Sequence, residues 1–147
     1  MATEWARVAA LRRTHERTTV AALVAILDRA AAGRRALSSE ENMLFIACQI
    51  WAGASMHSLP TLLRYKPAES LHTASMAFAA MGATQTAVTL QRAADRANAA
   101  STSRQVRRFL RELGQRLRAS AEPVDLLIAR FASTLVPGLA AGELALH

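Results

Sequence analysis

The chain has 147 residues and a net charge of +7, with 33 alanines, six glycines, four prolines and one cysteine. An apolar content of 52% excludes a disordered chain, and the lone Cys48 excludes a disulfide framework or a cysteine-rich zinc module. Few helix breakers and abundant alanine predict an all-α fold: six or seven helices around a buried central helix at about 41–53. One domain is expected over 1–138, with a tail at 139–147 that is either flexible or docked as a short helix.

Residues 3–32 read as one long helix or two short ones. Val20, Leu23, Val24 and Leu27 recur at helical spacing and predict an inward face, as do Trp5 and Val8 further upstream. Gly33 is placed to end this segment. Ser38 and Glu41 make a capping box before the apolar run Met43 to Trp51, which is interrupted only by Gln49. That run predicts a helix buried on every side. Pro60 and Pro67 make 53–67 irregular, with one short turn at 61–65. A helix over 68–81 should point Leu71, Ala74, Phe78 and Met81 inward and end at Gly82. The next, 84–99, should bury Ala87, Leu90, Ala94 and Ala97. Thr102 and Gln105 cap a helix over 103–119. The last starts near Pro123 and turns Val124, Leu127, Ile128, Phe131 and Leu135 inward, until Pro137-Gly138 stops it.

Charge is concentrated in two blocks. Residues 1–35 carry +4 and residues 101–120 carry +5, while 36–100 are neutral. On the 103–119 helix, Arg104, Arg107, Arg108, Arg111, Gln115 and Arg118 fall within about 100° of arc, opposite Val106, Phe109, Leu110, Leu113 and Leu117. Like-charge neighbours three and four residues apart cost about 0.2–0.5 kcal/mol each. A stripe of this kind suits phosphate or carboxylate, which the guanidinium fork holds through two hydrogen bonds. Arg12, Arg13, Arg17, Arg34 and Arg35 form a second basic patch. The irregular 54–67 segment supplies a candidate partner-binding loop in Met56, His57 and Tyr65. Only Gln115 on the stripe could read a base edge, so binding to nucleic acid would rest on phosphates with little sequence preference. Tyr65 is the only aromatic outside core-like positions, so single-strand stacking is not expected.

No catalytic motif, glycine-rich phosphate loop, metal-ligand spacing or cofactor signature is found, and an enzyme is not expected. The best uncharged apolar run, Met43 to Ala54, is shorter than the roughly 20 residues a membrane span needs. Glu4 and Glu16 precede the apolar stretch 20–27 and Asp28 ends it, which argues against a secretory signal; a cytoplasmic location is expected.

One stretch resembles a known family. Ser38-Ser39-Glu40-Glu41, Met43-Leu44-Phe45-Ile46 through Trp51, and Ala77-Phe78-Ala79-Ala80-Met81-Gly82-Ala83 followed by Thr86-Ala87 and Leu90 are similar to the small bacterial all-helical family that includes a DNA-mimic protein. The match covers about sixty residues, 38–97. Where that family has an Asn-Gly-Gly-Phe turn, this chain has Met56-His57-Ser58-Leu59, and Leu62 and Leu63 replace aromatics. The resemblance implies a helical scaffold that binds macromolecules. DNA mimicry does not carry over, because it needs a carboxylate surface and the strongest charged face here is basic. The expected function is therefore a non-catalytic module whose Arg stripe engages a polyanion, either a nucleic-acid backbone or an acidic protein surface. The alternative is a small regulatory or immunity-type protein that inhibits a partner through 54–67.

Overall fold

A computed structural model describes residues 2–99 and 102–137, with side chains from residue 13 onward. The tail expected at 139–147 and the side chains of Trp5, Val8 and Arg12 lie outside the described residues. Those residues are all-α: α1 (Ala2–Gly33), α2 (Ser39–Ser55), α3 (Leu59–Leu62), α4 (Pro67–Ala80), α5 (Thr84–Ala97), α6 (Ser103–Arg118) and α7 (Val124–Leu135). No described helix is long and apolar enough to cross a membrane. The described residues divide into two compact units, 2–44 with 123–137, and 45–122, the division falling within α2 between Leu44 and Phe45.

In the first unit α1 packs on α7. The apolar face read from the sequence is not the one α1 buries. Val20, Val24 and Leu27 are exposed and Leu23 is half-buried, whereas Thr18, Ala22, Ile26 and Ala30 are buried. The buried set forms a single row of every fourth residue, and α7 answers with Val124, Ile128, Ala132 and Val136 at the same spacing. Such rows interdigitate as ridge into groove. The row alternates small and large side chains, Ala22 and Ala30 about Ile26, which suits such interdigitation. The buried Thr18 hydroxyl is satisfied by donating to the Thr14 carbonyl at 3.1 Å.

Residues 34–44 tie α1 to α2. The Ser38 hydroxyl accepts from the Glu41 amide at 3.2 Å and the Glu41 carboxylate accepts from the Ser38 amide at 2.8 Å, completing the capping box. Arg35 adds a two-pronged contact to the same carboxylate, at 2.7 and 3.1 Å. The Arg35 hydrogen bond, then the Ser38 amide, hold the Glu41 carboxyl down at about 2.

In the second unit α4 and α5 form the closest helix pair. Leu71, Ala74, Phe78 and Met81 meet Ala87, Leu90, Ala94 and Ala97, the faces read from the sequence, all buried. The Ser75 hydroxyl bridges the two helices by donating to the Ala87 carbonyl at 2.7 Å. α2 buries Leu44, Ala47, Ile50, Gly53 and Ala54, but Asn42, Gln49 and Ala52 are exposed and Phe45, Ile46, Cys48 and Trp51 half-buried. The apolar run is thus enclosed on one side, with an open outer strip.

The start of α5 is capped from a distance. The Glu122 carboxylate accepts from the Gln85 amide at 3.0 Å, the Thr86 amide at 2.7 Å and the Thr86 hydroxyl at 2.7 Å. Burial pushes this carboxyl up, but the three donors outweigh burial and leave it below its ordinary value. Because the folded form holds the proton less tightly, the cap stabilises fully above the ordinary carboxylate range and is lost as pH falls below it. Glu122→Ala is expected to cost about 1 kcal/mol at neutral pH, the usual worth of a helix N-terminal cap. The deficit relative to the parent chain should narrow in acid, where the parent loses the same contact. Thermal unfolding followed by circular dichroism at pH 7 and pH 3 measures both.

Candidate anion-binding cleft

The cleft is built on where α2 ends. His57 lies in the left-handed region at φ 57°, and the Ser58 amide reaches back to the Gly53 carbonyl at 2.8 Å. This is a Schellman closure, in which the left-handed residue is usually glycine. Two others follow the same pattern. Arg34 (φ 48°) closes α1, with the Arg35 amide on the Ala30 carbonyl, and Gly82 (φ 84°) closes α4, with the Ala83 amide on the Phe78 carbonyl. Gly82 fills the role read from the sequence. Gly33 sits one residue early, and Arg34 takes the left-handed turn instead.

The turn at His57 starts α3, which is anchored by Leu59, only 1% exposed. Gly53 makes room for this side chain and Gly114 packs beside it. A Cβ at Gly53 would lie 3.1 Å from Leu59 Cδ2, and one at Gly114 would lie 3.5 Å from Leu59 Cδ1. Leu59 therefore draws α3 onto both α2 and α6 and holds the 57–67 segment beside the Arg-bearing helix. The Thr102–Gln105 capping box of α6 is formed in both directions, at 3.1 and 3.3 Å. The inner side of α6 is Leu110, Leu113, Gly114 and Leu117, all buried, with Val106 and Phe109 half-buried.

Between these elements lies an open cleft of about 730 Å³. His57, Arg64 and Tyr65 line one wall, Arg107 and Arg111 the other, and Thr102 and Ser103 stand at its α6 end. None of its lining residues is acidic. The Arg64 guanidinium sits 4.9 Å over the Tyr65 ring, within cation–π range. A smaller recess of about 210 Å³ adjoins it, sharing His57 and Arg111 and adding Gln115 and Arg118. The Arg stripe and the 54–67 loop, two separate candidates in the sequence, thus face one cleft.

The stripe residues have different fates. Arg104, Arg107 and Arg111 are exposed and make no ion pair among the described residues. Arg108 pairs with Glu112 at 3.5 Å, with both side chains largely exposed. Arg118 departs from the expected role as a free cation: it is half-buried and donates to the Ala54 carbonyl at 2.6 Å, capping the end of α2. Gln115 is exposed. Of the second basic patch, Arg13, Arg17 and Arg34 are exposed, and Arg35 is committed to Glu41 and so withdrawn from any anion-binding set. This patch belongs to the first unit and the stripe to the second. Met56, at 75% exposed, stands at the start of the loop.

His72 bonds to Gln91 at 2.7 Å. Burial pushes the Cys48 thiol up to about 12, far from nucleophilic reactivity at neutral pH. Sequence reasoning missed the long-range partners Glu122 and Arg118, for which no local spacing exists. No family model, curated protein or solved structure matches the chain.

Two stability measurements test this construction. Leu59→Ala is expected to cost about 2–5 kcal/mol, as for other fully buried leucines, read from urea unfolding. His57→Gly removes about 1–2 kcal/mol of left-handed strain against about 0.5–1 kcal/mol of added unfolded-chain entropy. Its melting temperature should therefore be unchanged or raised, although a side chain has been deleted.

Proposed function

We propose that this chain is a non-catalytic binding module that engages a polyanion through the outer face of α6 and the cleft beside it. The observation that carries this reading is the uncompensated cationic wall. Arg104, Arg107 and Arg111 are exposed without ion pairs among the described residues, and two of them face Arg64 across a cleft with no acidic lining. Like charges three and four residues apart on α6 repel one another, and a bound polyanion would remove that cost. A charged concave wall also concentrates anionic partners near it. A nucleic-acid backbone fits better than an acidic protein, because closely spaced phosphates match a row of guanidiniums along one helix. The family resemblance lends further support. Met56 to Leu59, where this chain departs from that family's glycine turn, includes His57, which lines the cleft, and Leu59, which anchors it. A protein partner gripped by 54–67 is the second reading, favoured by the exposure of Met56 and Tyr65, 75% and 74%.

Fluorescence anisotropy with labelled nucleic acid between 50 and 200 mM salt tests the proposal. Four phosphate contacts, from Arg64, Arg104, Arg107 and Arg111, give an expected log–log slope of about −3.6 on duplex DNA and about −2.8 on single strands. Arg107→Glu with Arg111→Glu should flatten the slope and weaken binding more than tenfold. Absence of binding at the lowest salt would overturn the nucleic-acid reading. Binding lost instead on Met56 or Tyr65 substitution, and insensitive to salt, would favour the second.

A further inference from the structure

We propose that the cleft seats one nucleotide of a single strand, with its phosphate on Arg107 and Arg111 and its base against Tyr65. This rests on the polyanion reading and narrows it to a substrate class.

Four observations converge. The first is size. A cleft of about 730 Å³ lies within the range of small-ligand sites, roughly 300–1,000 Å³, and accommodates one nucleotide. Duplex DNA is bound the other way round, by protein inserted into its grooves. A concave site suits a splayed-out, unstacked base. The second is Tyr65. It is 74% exposed although large and aromatic, and Arg64 lies 4.9 Å over one face of the ring. The ring lines the cleft, and its exposure leaves aromatic surface on which a base can stack. The sequence offers a single such ring, and a single ring serves a single base.

The third is spacing. Arg104, Arg107 and Arg111 rise along α6 in steps of about 4.5 and 6 Å. Arg107 and Arg111 share the cleft with the ring, and Arg104 extends the row one turn beyond it for a neighbouring phosphate. A cationic track with an aromatic platform is the usual construction for single-strand binding without sequence preference. The fourth is the chemistry of the lining. It contains no carboxylate to repel phosphate, and His57, Thr102 and Ser103 add hydrogen-bonding groups that sugar and phosphate oxygens can use.

The test uses the full chain and three labelled 12-mers of one length: single-stranded DNA, the same sequence as a duplex, and an abasic strand that keeps every phosphate but carries no bases. Base stacking predicts that the ordinary single strand binds about tenfold tighter than the abasic strand, and tighter than the duplex. Tyr65→Ala should remove that tenfold advantage and leave abasic binding unchanged. Tyr65→Phe should restore it. Because Tyr65 is exposed, these variants leave the core intact. Equal binding of ordinary and abasic strands, no effect of Tyr65→Ala, or a duplex preference would overturn the nucleotide seat and leave the polyanion reading standing. No binding of any of the three, nor of polyglutamate, at 50 mM salt would overturn both. Capture of polyglutamate but of no oligonucleotide would overturn the nucleotide seat in favour of an acidic protein.

Discussion

The cleft depends on the place of one side chain. Leu59 is almost wholly buried: the missing Cβ of Gly53 leaves room for its Cδ2, and its Cδ1 packs beside Gly114. The two glycines are 61 residues apart in the chain, on α2 and α6. A side chain larger than hydrogen at Gly53 would also press on Leu62, 3.3 Å from where its Cβ would be. The short α3 has too few residues to be stable as an isolated helix. Its position is fixed by this seat, and His57, Arg64 and Tyr65 are carried with it. The chemistry at the cleft is thus set by packing beneath it.

The helix ends show how the chain converts local turns into long-range order. His57 and Arg34 adopt left-handed backbone where glycine is easier. At His57 the closure is reinforced from α6, since Arg118 donates to the last-turn carbonyl of α2. At Arg34 it leads directly into Arg35, which grips Glu41 at the start of α2. Glu122 does the same for α5, reaching across 36 residues of sequence to Thr86. In each case a charged group satisfies a helix terminus that would otherwise face solvent. Charged hydrogen bonds of this kind are worth more than neutral ones.

What could be read from the sequence follows from the range of each interaction. Both capping boxes are three-residue patterns and were legible, as were the buried faces of α4 and α5 and the Arg row on α6. The α1 face was not. Val20, Val24 and Leu27 outrank Ala22 and Ala30 in hydrophobicity, yet the row that α1 buries is Thr18, Ala22, Ile26 and Ala30. A residue-by-residue hydropathy pattern carries no information about interaxial distance. Arg35 and Arg118 were read as a patch cation and a stripe cation, and Glu122 carried no reading at all. Their partners are set by tertiary structure, and only a fold can reveal them. For the same reason the Arg stripe and the 54–67 loop looked like separate candidates until Leu59 placed them on one cleft.

The arginines themselves separate structure from function. Arg35 and Arg118 each have a defined partner, a carboxylate and a carbonyl. Arg104, Arg107 and Arg111 have none among the described residues, although the fold has carboxylates to offer: Glu112 on the same helix turns to Arg108. Exposed pairs contribute little to stability, so folding alone exerts weak pressure either to pair these three or to place them together. A random scatter of solvated cations would interleave with acids and stand apart from concave surface. Here two of the three line the same wall, opposite a third cation and beside an exposed ring. Core packing accounts for the inner face of α6 and leaves this outer arrangement unexplained. The proposed anionic partner would account for it.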